Sequence, residues 1–96
     1  MTTPTPNYTA LGEHTAFSGQ AKRAAERRIT WINNLMHDLR RARDDNPQAI
    51  DTAALHARID DIEQADIELR DALARTNRAG AECGQRALSV ADLLRN

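Results

Sequence analysis

Two long stretches of the chain carry apolar residues at steps of three and four. In the downstream stretch Leu55, Ile59, Ile62, Leu69 and Leu73 recur at about 100° per residue and fall within one narrow stripe. Asp51, Asp60, Asp61, Glu63, Glu68 and Asp71 lie mostly off that stripe, as a solvated face does. Asn46-Pro47 marks the helix start, because proline is tolerated only in a first helical turn, and no proline follows. The spacing predicts one long helix over 47–95, with Gly80 the place for a bend.

Upstream, Ala25, Ile29, Ile32, Met36 and Leu39 form the main stripe of a helix over 20–43. A weaker stripe beside it holds Ala24, Trp31, Leu35 and Ala42. Arg40, Arg41 and Arg43 sit in its last turn, where cations favour the negative end of the dipole. Asp44-Asp45-Asn46-Pro47 then breaks the helix, and so short a connection makes the two helices antiparallel neighbours. Residues 1–7 are Thr- and Pro-rich and read as a flexible tail. Residues 8–19 read as an ordered arm: Tyr8, Leu11 and Phe17 are irregularly spaced, Gly12 and Gly19 interrupt a regular element, and Thr15 or Ser18 is placed to cap the helix that follows. The fold class expected is all-α, a coiled-coil-like antiparallel hairpin within a single domain over 8–96.

Charge favours the same pairing. Lys22–Arg43 holds seven basic and two acidic residues, and Asp51–Asp71 holds two basic and seven acidic ones, although each exposed pair contributes little. Aligning the stripes sets Leu39 on Leu55, Met36 on Ile59, Ile32 on Ile62 and Ala25 on Leu69. Asp66 then falls on the apolar face, where a lone carboxylate is costly, so Arg27 or Arg28 is expected to reach it. In this register the first helix ends near Leu73 of the second, which continues for roughly 30 Å at 1.5 Å per residue. Leu88, Val90, Leu93 and Leu94 on that overhang need cover. The expectation is that the arm and a second subunit both supply it, giving a homo-oligomer built through this end.

At 96 residues and a formal charge of −1, the chain makes one small domain with no global basic field for double-stranded DNA. Its single cysteine, Cys83, excludes an intramolecular disulfide and a CxxC metal site. No basic and apolar leader opens the chain, and no apolar run of about 18 residues is present. A cytoplasmic protein is expected.

Candidate chemistry is sparse. His14, His37 and His56 lack a third ligand at metal-binding spacing. Cys83 has no base beside it in sequence, and Ser18 and Ser89 lack a G-x-S-x-G context. No catalytic residue, metal or cofactor is assigned. Ser18-Gly19-Gln20-Ala21-Lys22-Arg23 reads as a helix start followed by two cations, where free N–H groups suit a phosphate. Tyr8 and Phe17 upstream are placed to stack on bases. The simpler reading, given more weight, pairs Lys22, Arg23, Arg27 and Arg28 with the acidic second helix. Trp31 and Leu35 form an apolar side face that either anchors a partner or covers the arm.

With Tyr8 in the arm and Lys22 on the first helix, the architecture is similar to small phage-encoded helical proteins that counter bacterial defences, including anti-CRISPR proteins. It most resembles the hairpin sponges of the anti-CBASS group, from about Tyr8 to Arg78. That resemblance implies an oligomer binding cyclic oligonucleotides, with Tyr8 and Lys22 at the matching positions. Secreted WXG-type hairpins are another comparison, but Trp31 is followed by Ile32-Asn33 rather than by a Trp-x-Gly turn.

Together these readings lead to a non-catalytic binding protein, a phage-type anti-defence or accessory protein that engages a larger protein through its helical surface in the host cytoplasm. Its interface residues are expected to be Trp31, Leu35, Leu88, Val90, Leu93 and Leu94. The alternatives are a nucleotide sponge using Tyr8, Phe17, Lys22 and Arg23, and a structural coiled-coil assembly module.

Overall fold

The computed structural model describes residues 7–44 and 49–95, so the tail over 1–6 and the Asp45-Asn46-Pro47 break lie outside the described residues. The protein is all-helical, with two long helices packed against each other. The first, α1, spans Tyr8–Asp44. Asn7 begins it by the expected chemistry of a helix cap, its side-chain carbonyl accepting from the Ala10 N–H at 3.0 Å.

The stretch over 8–19 is therefore helix, not a separate arm. Gly12 and Gly19 each cost about 1 kcal/mol relative to alanine in a helix interior, which packing outweighs. Ala10 and Ala21 are buried, and His14 and Phe17 are half-buried, along the face turned to the second helix. Nor do Thr15 and Ser18 cap anything. Their hydroxyls donate back to the carbonyls of Leu11 and Thr15 inside the helix.

The second helix, α2, spans Thr52–Glu82 and starts later than Pro47. Asp51 is its N-cap, accepting from the Ala54 N–H at 3.0 Å. Helix geometry continues through Gly80 to Glu82. The break comes at Cys83-Gly84, where Gly84 takes φ +79°, a conformation open to glycine at little cost. The Cys83 N–H donates to Ala79 and Gly80, and the Gln85 N–H donates to Gly80 at 2.8 Å, satisfying two of the terminal carbonyls of α2.

The chain then reverses. Ser89 and Asp92 form a reciprocal capping box for a short third helix, α3, over Val90–Leu94. α3 packs on α1. The overhang expected from the sequence does not form, for two reasons: α1 reaches back to Tyr8 and matches α2 along its length, and residues 85–94 fold over the helix pair. Leu93 is buried with Ala21, Ala24, Ala25, Leu69 and Ala72, while Leu73, Leu88, Val90 and Leu94 pack around them. Of the four aliphatics assigned to a subunit interface, Leu93 is thus buried, and Leu88, Val90 and Leu94 half-buried, within their own chain.

Facing residues fall in number on α2 as they rise on α1. Arg27 pairs with Glu68, Arg28 with Asp66, and Asp38 with Arg58, and Gly80 lies against the His14 ring. The residues between the helices recur at alternating steps of four and three. On α1 they run Ala10, His14, Phe17, Ala21, Ala24, Arg28, Trp31, Leu35, Asp38 and Ala42. On α2 they run Leu55, Arg58, Ile62, Ala65, Leu69, Ala72, Thr76, Ala79 and Cys83. The stripe expected to be weaker on α1 is the buried one, and the stripe expected to be the core lies one position further round.

Candidate functional site

Small residues in the seam make the helix pair thin. The molecule measures 77 × 22 × 13 Å with a radius of gyration of 19.0 Å, against roughly 12 Å for a compact chain of this length. A single layer of helices buries few large side chains, and Leu69 and Thr76 are the largest fully buried among the described residues. The Thr76 hydroxyl meets its need internally, donating to the Ala72 carbonyl at 2.7 Å.

The two long edges of the pair differ. On one edge Arg27 meets Glu68, and Asn34 and Arg41 follow at heptad spacing. On the other edge the same layers carry Ile29, Ile32, Met36 and Leu39 from α1, between 37% and 48% exposed. Ile59 of α2 joins them at 49%, since it lies seven residues before Asp66 on the side Asp66 occupies. Leu55 and Ile62 are half-buried behind it. This is a contiguous apolar flank, and clustered large aliphatics in water mark an interaction surface more often than chance does.

The flank is closed at one end and open at the other. Ala25 belongs to the same row, yet it is fully buried because α3 lies over it. Asn77 holds the returning chain there, accepting from the Leu88 N–H at 2.8 Å and donating to the Leu88 carbonyl at 3.0 Å. Its amide thus satisfies both backbone groups of Leu88, which lies outside any helix. From Ile29 to Leu39 none of the described residues covers the row.

Charged groups near the flank are largely paired. Asp66 accepts from Arg28 at 2.6 Å and from Arg70 at 2.8 Å, and Arg70 first, then Arg28, hold its carboxyl below the usual carboxylate range. Within the seam Arg58 donates to Asp38 at 2.9 Å and lies 5.3 Å from the centre of the Trp31 ring. Trp31 and Leu35 are consequently half-buried seam residues, not a projecting anchor. Across the seam from Trp31, the polar edge near the tip forms an open groove lined by Asp38, Arg41, Ile50, Asp51, Leu55 and Arg58.

The residues proposed for a nucleotide do not converge. Tyr8 is highly exposed at the start of α1, about 21 Å along the helix from Lys22. Phe17 faces the seam under Arg75, 5.6 Å from the ring centre. Ser18 and Gly19 are interior to α1, so their N–H groups serve the helix and not a phosphate. Among the described residues no three His, Cys, Asp or Glu side chains cluster as a metal site would require, and no helix is long and apolar enough to cross a membrane. Comparison with protein families, with characterised proteins and with solved structures finds no match for this chain.

Proposed function

We propose that the chain is a non-catalytic binding protein, a coiled-coil-like antiparallel hairpin that works by docking its apolar flank on another helical surface. The observation that supports this reading is the uncovered row of Ile29, Ile32, Met36, Leu39 and Ile59, set on one edge while the opposite edge is polar. Exposing such a row costs solvation free energy, at about 25 cal/mol per Å² of apolar surface, and a partner recovers it. An amphipathic helix laid along the row is the partner geometry that steps of three and four fit. An anti-defence or accessory role, as the resemblance implies, is one use of such a face.

A photo-reactive residue in place of Met36, compared with one in place of Glu26 on the solvated back of α1, tests the reading in the cells that make the protein. Covalent protein adducts are expected from position 36 and not from position 26. Equal yields, or none from position 36, would refute it.

A further inference from the structure

We propose that residues 85–95 work as a strap, released from the helix pair as one unit while α1 and α2 stay together, and that its release lengthens the open flank. The first support is where its polar contacts lie. Asp92 accepts from Ser89 and pairs with Arg86 and Arg95, so these charges are met inside the segment and travel with it. Both of its ion pairs are internal among the described residues. Its polar ties to the helices are few: Asn77 to the two backbone groups of Leu88, and the Gln85 N–H to the Gly80 carbonyl at the base.

The second support is the joint. Gly84 holds φ +79°, and residues 84–87 are exposed and non-helical, so a change of backbone angle there disturbs no packed side chain. The third support is what lies beneath. α3 covers Ala21, Ala24 and Ala25, and at 100° per residue Ala21 and Ala25 fall on the same side of α1 as Ile29, Ile32, Met36 and Leu39. With the strap down, the row is open from Ile29 to Leu39, about 15 Å of helix; with it released, the row starts at Ala21 and runs about 27 Å. Leu93 is the one buried side chain of the strap among the described residues, so a single anchor governs the change. That strap release regulates binding rests on the docking role proposed above; the release itself does not.

Thiol labelling of the full chain with 5,5′-dithiobis(2-nitrobenzoate), in a Cys83→Ser background, tests the release. Ala25→Cys places the thiol beneath α3, and Ala65→Cys places it in the seam clear of α3. The thiol at position 25 should react at least ~tenfold faster than the one at 65. Below the unfolding transition its rate should change little with urea, because strap release exposes little surface. Leu93→Asp should bring position 25 to the rate of Asn33→Cys on the solvated side, leave position 65 protected, and keep far-UV circular dichroism helical. Ala24→Cys, also beneath α3, serves if Ala25→Cys does not fold. Equal rates and equal urea dependence at 25 and 65, or joint loss of protection on Leu93→Asp, overturn the strap and make the segment part of one core. A photo-reactive residue in place of Met36 then reads the regulation. Leu93→Asp should raise its adduct yield several-fold, and an unchanged or lower yield overturns the regulatory role. No adducts from position 36 with or without Leu93→Asp would remove the docking face and its regulation together, while labelling still decides whether the strap opens.

Discussion

Replacing Leu93 by alanine measures how firmly the returning chain holds the helix pair. Leu93 is only 6% exposed and closes over Ala21, Ala24, Ala25, Leu69 and Ala72. The substitution removes three carbons, each worth about 0.8 kcal/mol on burial, or about 2.4 kcal/mol in transfer terms. A cavity that cannot collapse would raise the loss toward about 5 kcal/mol. Here the loss is limited, because α3 is five residues long and can lift off instead of spanning a void. The expected cost is therefore about 2–3 kcal/mol, a large share of the ~5–15 kcal/mol by which domains are stable. Urea titration followed by circular dichroism, with both proteins at one concentration so that association does not enter, reads this as a lower midpoint. Hydrogen exchange should show the amides over 88–94 losing protection before those of Leu69 and Ala72. A cost under about 0.5 kcal/mol, with exchange over 88–94 unchanged, would refute the docking of α3 on the alanine face.

Three further outcomes follow from single contacts. Asn77→Leu strands the Leu88 N–H and carbonyl, and should cost about 2 kcal/mol in a urea titration, with the loss of protection centred on residues 85–94. The Asp92 carboxyl is held at about 2 by the Ser89 backbone N–H first, then by Arg86 and the Ser89 hydroxyl. Because that value lies below the unfolded one, its stabilisation is complete above about pH 4 and is lost as the pH falls toward 2; Asp92→Asn should flatten this part of the acid titration of α3 docking. His14 Nε2 is buried without a hydrogen-bond partner among the described residues, so His14→Leu should raise stability by about 1 kcal/mol, seen as a higher melting temperature.

The period of apolar residues made the all-helical fold and the packing of two long helices legible in the sequence. On α2 the expected stripe did place Leu55, Ile62 and Leu69 in the seam, but which face α1 turns inward was not legible, and the reason is side-chain size. Ile29, Ile32, Met36 and Leu39 outrank Ala21, Ala24 and Asp38 on any hydrophobic scale, so the large residues read as core. The seam is instead the set that keeps strict steps of four and three across ten α1 positions, including Arg28 and Asp38, whose charges are met across it by Asp66 and Arg58. A half-buried ion pair looks in sequence like a solvated face. The extent of α1 was hidden similarly: Gly12 and Gly19 carry a local penalty visible in sequence, while the packing of Ala10 and Phe17 that offsets it depends on α2.

This division of sizes bears on how the molecule works. Alanine in the seam lets two helices approach closely, so each hairpin closes on its own small core with help from α3. The large aliphatics are then left over for a second layer. Under the proposed function, folding and docking draw on different faces of α1, separated by one position in the heptad. Substitutions at Ile32 or Met36 should therefore abolish docking while the helix pair persists, whereas substitutions at Leu69 should unfold the pair and the docking face with it. Were the two sets of variants to behave alike, seam and flank would be one cooperative core, and the flank could not serve as an independent binding surface.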